Sequence, residues 1–203
     1  MSQLNLSRQT LKLSHASSTL LAEAGELVLL RGETGSGKTT WLKRMARLID
    51  MPADVRIESA ETVRMLFDQQ PPVWLGQNVG EEICFGLKHQ PDPETLNASL
   101  QQWGLSDIHL SSALKDLNRL QAIRLTLAGI TLAKPALALL DAPTDALSVE
   151  AATLLIKEIS QWAVTSNTIV VVAANRWHDW QPVASQIWIT GSADELPQVK
   201  GNI

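Results

Sequence analysis

The stretch Gly32 to Thr40, GETGSGKTT, constrains the fold of this chain more than any other. Gly32, Gly37, Lys38 and Thr39 match the pattern of a glycine, four residues, then Gly-Lys-Ser/Thr. Gly35 and Gly37 let the backbone curl so that successive N–H groups point inward with no Cβ in the way, which makes an anion cradle out of main chain. In such a loop Lys38 reaches the β- and γ-phosphates of a nucleotide as a point charge, and the Thr39 hydroxyl ligates the magnesium that bridges them. The flanks agree. Glu26 to Arg31 (ELVLLR) reads as a short apolar strand, and Trp41, Leu42, Met45, Leu48 and Ile49 recur at helical spacing. Strand, glycine loop and helix in that order aim a helix N-terminus at phosphate. The expected nucleotide-binding residues are therefore Gly32, Glu33, Thr34, Gly35, Ser36, Gly37, Lys38, Thr39 and Thr40. A chance glycine turn is the competing reading, and the flanking strand and helix argue against it.

At 203 residues, 45% hydrophobic and 19% charged, the chain has enough apolar material for one well-buried domain, taken as residues 1–203. Two full domains would be cramped. A net charge of -4 has the wrong sign for non-specific nucleic-acid binding, so no nucleic-acid partner is expected. The single cysteine, Cys84, excludes an internal disulfide and fits a reducing compartment. The N-terminal MSQLNLSRQTLKLSHASS lacks the apolar run of a signal peptide. The most apolar region, Leu125 to Leu140, is broken by Lys134 and Pro135 and falls short of a membrane span. The expected location is the cytoplasm, with any contact at the inner face of the membrane made through a partner.

Residues 1–24 alternate loosely (Leu4, Leu6, Leu11, Leu13), which predicts short antiparallel strands. Val63 to Phe67 reads as another short strand, followed by an extended turn at Asp68-Gln69-Gln70-Pro71-Pro72. Gly80 to Leu87 looks helical. Asp92-Pro93-Glu94 supplies an N-cap, a proline at the first position and an acid in the first turn of a helix that Gly104 ends. A further helix spans Arg119 to Ala133, with Asn118 as N-cap and Leu120, Ile123, Leu127 and Ile130 as its buried stripe. Ala136 to Leu140 and Thr168 to Ala173 are continuous apolar runs of the kind buried on both faces of a parallel sheet, joined by a helix over Ser148 to Trp162. Gln186 to Thr190 is expected as an edge strand. The fold class is thus α/β: a phosphate-loop domain with a mostly parallel core sheet, short antiparallel N-terminal strands and a helical insertion over about residues 80–134.

Asp141 ends its apolar strand where an acid of a nucleotide site would emerge beside the phosphate loop, and it is the expected second magnesium ligand with Thr39. Capping of the next turn is the alternative role for it. Leu139 to Leu147, LLDAPTDAL, resembles the LLDEPTSGL block of ATP-binding-cassette (ABC) ATPases. Arg124 to Pro135 (RLTLAGITLAKP) is similar to the RVALARALAxxP helix that precedes that block, and its Ala128-Gly129 pair and the segment Glu81 to Leu87 (EEICFGL) resemble energy-coupling-factor importers. The matches follow the family's order over about residues 25–190.

The departures from the family pattern concern catalysis. Where the family has a glutamate that polarises the attacking water, this chain has Ala142; a general base is worth roughly 100- to 10,000-fold in rate. The family's signature LSGGQ falls on Leu117 to Gln121, here LNRLQ, so Arg119 and Leu120 replace the two glycines that let a helix N-terminus approach a phosphate on the opposite subunit. Arg119 reads as a solvated surface arginine, with a charged clamp on the opposite phosphate as the rival reading. The switch histidine of the family is missing at Ala173-Ala174-Asn175, and His178, between Trp177 and Trp180, reads as a packed surface residue. Ser148 stands in for the family's D-loop aspartate. No aromatic precedes Trp41, so the adenine-stacking residue is absent, a loss of roughly 1 to 3 kcal/mol. For the glutamine of the family's Q-loop, a gapless register gives Asp68 and a one-residue shift gives Gln69 with Pro71 in place; Gln69 is preferred, as the one candidate catalytic residue and a third magnesium ligand.

The resemblance implies an ATP-binding subunit of an ABC-type transporter. It would bind ATP and Mg2+, pair head-to-tail with a second ABC ATPase chain as a homo- or heterodimer, and dock on a transmembrane coupling subunit. Hydrolysis is expected to be weak or to depend on the partner. A stand-alone ATP-binding pseudo-ATPase with a regulatory or scaffolding role is the alternative, and a DEAH-type helicase, which shares GETGSGKTT, is disfavoured by length, charge and the lack of a DEAH sequence.

Overall fold

A computed structural model of the chain describes residues 9–16, 18–59, 62–68 and 72–200. It opens with a hairpin of β1 (Thr10–His15) and β2 (Ser18–Glu23), then β3 (Leu27–Arg31), α1 (Lys38–Met45), β4 (Arg56–Glu58) and β5 (Val63–Leu66). Three helices follow: α2 (Val79–Ile83), α3 (Pro93–Gln102) and α4 (Arg119–Leu132). The chain returns to the sheet through β6 (Leu137–Asp141), α5 (Val149–Ser166) and β7 (Ile169–Ala173), and ends with α6 (Trp177–Trp180), β8 (Gln186–Ile189) and β9 (Gln198–Val199).

The apolar runs determine the architecture. β5, β6, β7, β3 and β8 pair in parallel in that order, with β9 antiparallel at the far edge. Every residue of β6 and β7 is buried, as a parallel strand covered on both faces requires. Successive side chains of a strand point to opposite faces, and the core divides accordingly. Leu27, Leu29, Ala138, Leu140, Val170 and Val172 face α5 and the helical insertion. Val28, Leu30, Leu137, Leu139, Ile169 and Val171 face Trp41, Leu42 and Met45 of α1 and the inward side chains of the three-stranded sheet β2-β1-β4. This is the α/β arrangement expected from the sequence. Leu4 and Leu6 of the predicted N-terminal strands lie outside the described residues.

Two expectations are corrected. Gln186–Ile189 is not an edge strand: β8 lies between β3 and β9, because the last described segment turns back and adds β9 antiparallel to it. The helix predicted from Gly80 to Leu87 stops at Ile83, and Gly86 has φ +72, which takes the chain out of helical conformation. The predicted caps do form. Asp92 and Asn118 accept from the backbone N–H groups of Thr95 and Gln121, and Gln121 completes a capping box.

The insertion is anchored to the core by a polar joint inside an apolar seam. Trp103 packs edge-on against Trp162 of α5, ring centroids 5.9 Å apart, and donates its indole N–H to Thr131 Oγ1. The buried Arg124 guanidinium donates to the Trp103 carbonyl and forms a forked pair with Glu158 of α5 at 3.0 and 2.9 Å. Removing one partner of such a pair strands the other in a site with little water. Glu158→Ala is expected to lower stability by about 2 kcal/mol, discounted for the partial exposure of Glu158, read as a fall in the urea midpoint with unchanged slope.

Candidate nucleotide-binding site

The loop between β3 and α1 is fixed by close approach of backbone to backbone. Gly37, the N-cap of α1, has φ +89, and a Cβ on it would lie 2.6 Å from Ala193 Cα. A Cβ on Gly32 would lie 2.3 Å from Ser36 Oγ and 2.5 Å from the Thr190 carbonyl oxygen. Neither position admits a side chain. The segment after β8 forms the outer wall: Thr190 Oγ1 donates to the Ser36 carbonyl, Trp41 Nε1 to the Ser192 carbonyl, and Arg44 to the Ala193 carbonyl. Nothing in the sequence linked these residues to the loop, since they lie far along the chain.

Inside the loop the buried Lys38 ammonium donates to the carbonyls of Gly32 at 2.9 Å and Glu33 at 3.0 Å. Burial pushes its pKa down, and the carboxylates of Asp145 and then Asp141 pull it back up. No side chain caps α1 and no acid stands in its first turn, whereas Asn78, Asp92, Asn118 and Ser148 cap α2 to α5. Its first-turn N–H groups remain open to an anion. Ser36 Oγ is buried without a hydrogen-bond partner, the orphan expected of a hydroxyl whose partner is a ligand.

Thr39 Oγ1 donates to Asp141 Oδ1 at 3.1 Å, so the two predicted metal ligands touch. Asp141 is only 5% exposed; burial raises its pKa, the Thr39 hydrogen bond opposes that, and the charge of Asp68 adds to it. These residues fit magnesium. One hydroxyl and one buried carboxylate beside an anion cradle are what that ion uses when phosphate oxygens and waters complete its octahedron. Glu33, Thr34 and Gly35 form the exposed tip of the loop, and Thr40 is part of α1. Gln69 lies outside the described residues.

Next to Asp141 a cleft of ≈ 310 Å³ is lined by Asp68, Trp74, Phe85, Arg119, Asp141 and Ala142, among others. Ala142 brings only a methyl to this wall; it has φ +48 and donates its N–H to the Ala173 carbonyl. Arg119 is not the solvated arginine expected from the sequence. It turns inward, pairs with Asp68 at 3.7 Å, and has a buried Nε without a partner, because the first turn of α4 faces the end of β5 across the cleft. Ser148 caps α5. His178 is exposed and stacked on Trp177, which also packs against the core and lies under the Arg31 guanidinium, 3.6 Å from its ring centroid.

Sequence reasoning missed Asp145. Its carboxylate accepts the backbone N–H groups of Asn175 at 2.9 Å and Arg176 at 3.4 Å, and it is the leading charge felt by Lys38. The one available signal was an acid on the turn after Asp141.

Gly37→Ala is expected to lower stability by about 3 kcal/mol, from left-handed strain plus contact with the Ala193 backbone, measured by urea unfolding. The pH dependence at Asp141 has a definite sign. A carboxyl whose folded pKa is raised binds more protons folded than unfolded, so it costs stability as pH rises from its unfolded pKa through its folded one. Asp141→Asn should therefore raise the melting temperature of the nucleotide-free protein at about pH 8, with the gain vanishing below about pH 4.

Comparison with known proteins bears on this geometry. The sequence model of the family described as ABC transporter matches residues 16–145. The energy-coupling factor transporter ATP-binding protein EcfA2 of Thermotoga maritima is 23% identical over 83% of this chain and 67% of its own length. EcfA1 of Lactobacillus delbrueckii subsp. bulgaricus is 26% identical over 88% of this chain and 70% of its own. The solved structure of CbiO1 from Clostridium perfringens, part of the ABC transporter complex CbiONQ, has the same fold: TM-score 0.78 at 15% identity, covering 95% of this chain and 88% of that one. The chain spans 32% to 70% of the length of the curated relatives it matches. The family match takes in β2, the phosphate loop, the helical insertion and Asp141, and on that ground the chain belongs to the ABC transporter family.

Proposed function

We propose that this chain binds Mg-ATP at the phosphate loop as the ATP-binding subunit of an importer-type ABC transporter. The observation that carries the reading is the meeting of Lys38, Thr39 and Asp141 at the uncapped N-terminus of α1. In this reading the loop N–H groups and the Lys38 ammonium hold the β- and γ-phosphates, and Thr39 with Asp141 holds magnesium, which neutralises phosphate charge when bound. Burial of Lys38 and Asp141 strengthens both attractions by excluding water.

The same residues argue for binding without efficient turnover. Ala142 cannot take a proton from water, and Leu117 to Gln121 offers Arg119 and Leu120 in place of glycines, with Arg119 engaged by its own Asp68. ATP then serves mainly to stabilise a closed dimer by mass action. The preferred assembly pairs the chain with a hydrolysing ATPase subunit on a transmembrane coupling protein at the cytoplasmic face of the membrane. The relatives named as energy-coupling factor ATP-binding proteins support that assignment. No helix among the described residues is long and apolar enough to cross a membrane, so the reading assigns the membrane-spanning part to another chain.

The test is to incubate the purified chain with Mg-ATP and identify the retained nucleotide. Retained ATP without phosphate release is expected, and Lys38→Ala is expected to abolish retention. Ala142→Glu alone should raise phosphate release by less than about tenfold, far below the range a general base supplies in an otherwise complete site. Steady phosphate release by the parent chain, lost in Lys38→Ala, would overturn the non-hydrolysing assignment.

A further inference from the structure

Thr190 follows β8 directly and is 2% exposed, a buried polar residue outside both the phosphate loop and the Thr39 and Asp141 pair. Its main chain holds the first end of the loop. The Thr190 N–H donates to the Arg31 carbonyl at 2.8 Å, and a Cβ on Gly32 would come within 2.5 Å of the Thr190 carbonyl oxygen. Its side chain holds the other end: Oγ1 lies 3.0 Å from the Ser36 carbonyl oxygen and 2.9 Å from that of Ser192. One residue from the far end of the chain therefore touches the loop on both sides of its turn.

A hydroxyl has one hydrogen to donate, and two carbonyls are within its reach. The Ser192 carbonyl also receives Trp41 Nε1 at 3.2 Å, whereas the Ser36 carbonyl meets no other donor among the described residues. The arrangement that leaves neither carbonyl without a donor puts the Thr190 hydrogen on Ser36. Holding that oxygen fixes more than the oxygen. A trans peptide unit is planar with its C=O and N–H pointing in opposite directions, so a Ser36 carbonyl drawn to Thr190 turns the Gly37 N–H away from the wall. Gly37 has φ +89 and no Cβ to resist rotation of this unit, so an outside bond sets its plane. The Gly37 N–H donates to no group among the described residues and stands at the uncapped start of α1.

We propose that Thr190 is a positioning residue for phosphate binding: its hydroxyl sets the Ser36–Gly37 peptide plane so that the Gly37 N–H faces the bound phosphate. The proposal rests on the nucleotide site described under Proposed function. It gives the segment after β8 a part in affinity as well as in packing. The backbone N–H groups of such a loop cradle phosphates that ATP and ADP share, so Thr190 acts on both nucleotides alike.

The experiment is equilibrium binding of ATP and of ADP, each with magnesium, to the purified chain and to Thr190→Val, Thr190→Ala and Thr190→Ser, beside urea unfolding of the same proteins without nucleotide. Lys38→Ala is the control for the site. Ser99→Ala is the control for stability, because Ser99 Oγ makes the same kind of buried bond, to the Ala128 carbonyl at 3.1 Å in the helical insertion. Thr190→Val and Thr190→Ala are expected to weaken ATP and ADP about tenfold each, the loss of one hydrogen bond to a charged group, with the ratio of the two affinities unchanged. Thr190→Ser, which keeps the donor, should bind as the parent does. Ser99→Ala should lower the urea midpoint and leave both affinities alone. A merely structural hydroxyl would lower the midpoint of Thr190→Val without changing the affinity of the folded protein, and that outcome overturns the proposal. So does a loss confined to ATP, or a Thr190→Ser as weak as Thr190→Val. If Thr190→Ser folds and neither variant lacking the hydroxyl does, the hydroxyl serves folding rather than binding, and the proposal is again overturned. If the parent chain binds neither nucleotide, the nucleotide site itself fails and this inference with it; binding that Lys38→Ala abolishes and Thr190→Val leaves unchanged sinks the inference alone.

Discussion

Parallel pairing of β6, β7 and β3 is the constraint on which the rest depends. Parallel strands cannot leave a face to water, because their connections cross over the sheet and cover it. The alternating side chains of these strands therefore demand two different coverings. One is supplied by α5 with the helical insertion, the other by α1 with the small antiparallel sheet. The same direction of run brings three strand ends to one edge, where the polar residues stand: the phosphate loop after β3, Asp141 at the end of β6, Asn175 after β7.

That edge has two halves of different character. Toward β3 it is closed and polar, with Lys38 and Asp141 withdrawn from water and Gly32 and Gly37 pressed against the segment after β8. Toward β5 it opens into a cleft with largely apolar walls, in which Ala142 leaves room and Arg119 lies against Asp68. The residues proposed to bind nucleotide are concentrated in the first half, and among the described residues the second half offers Ala142 where the proposed reading would need a general base. The loop is held by backbone packing, whereas the position after Asp141 depends on one side chain at the end of one strand.

Among the described residues, polar links tie the helical insertion to the sheet and to this edge, one of them from Arg64 to the Gly86 carbonyl. The Arg124 and Glu158 pair and the Trp103 and Trp162 contact fasten it to α5, while Arg119 and Asp68 bridge the cleft at the N-terminus of α4. The first joint is part-buried, with Arg124 Nη2 donating to both Glu158 oxygens. The second is long and half-exposed, so it holds its elements together far more weakly.

The sequence by itself determined everything that depends on neighbours in the chain. The glycine and lysine spacing of the loop, the Asp92-Pro93 and Asn118 helix starts, and the apolar runs of β6 and β7 are local signals whose physics acts within a few residues, and each stands where the sequence put it. Tertiary structure alone decided what depends on residues brought together from afar. That Arg119 turns inward rather than to solvent was settled by the position of Asp68 across the cleft. That Asp145 holds Asn175 was settled by two strands lying side by side. That β8 lies inside the sheet was settled by a strand as short and exposed as Gln198–Val199, whose own residues carry almost no apolar signal. Burial and long-range pairing are properties of the assembled sheet, and no spacing along the chain encodes which partner a polar side chain meets there.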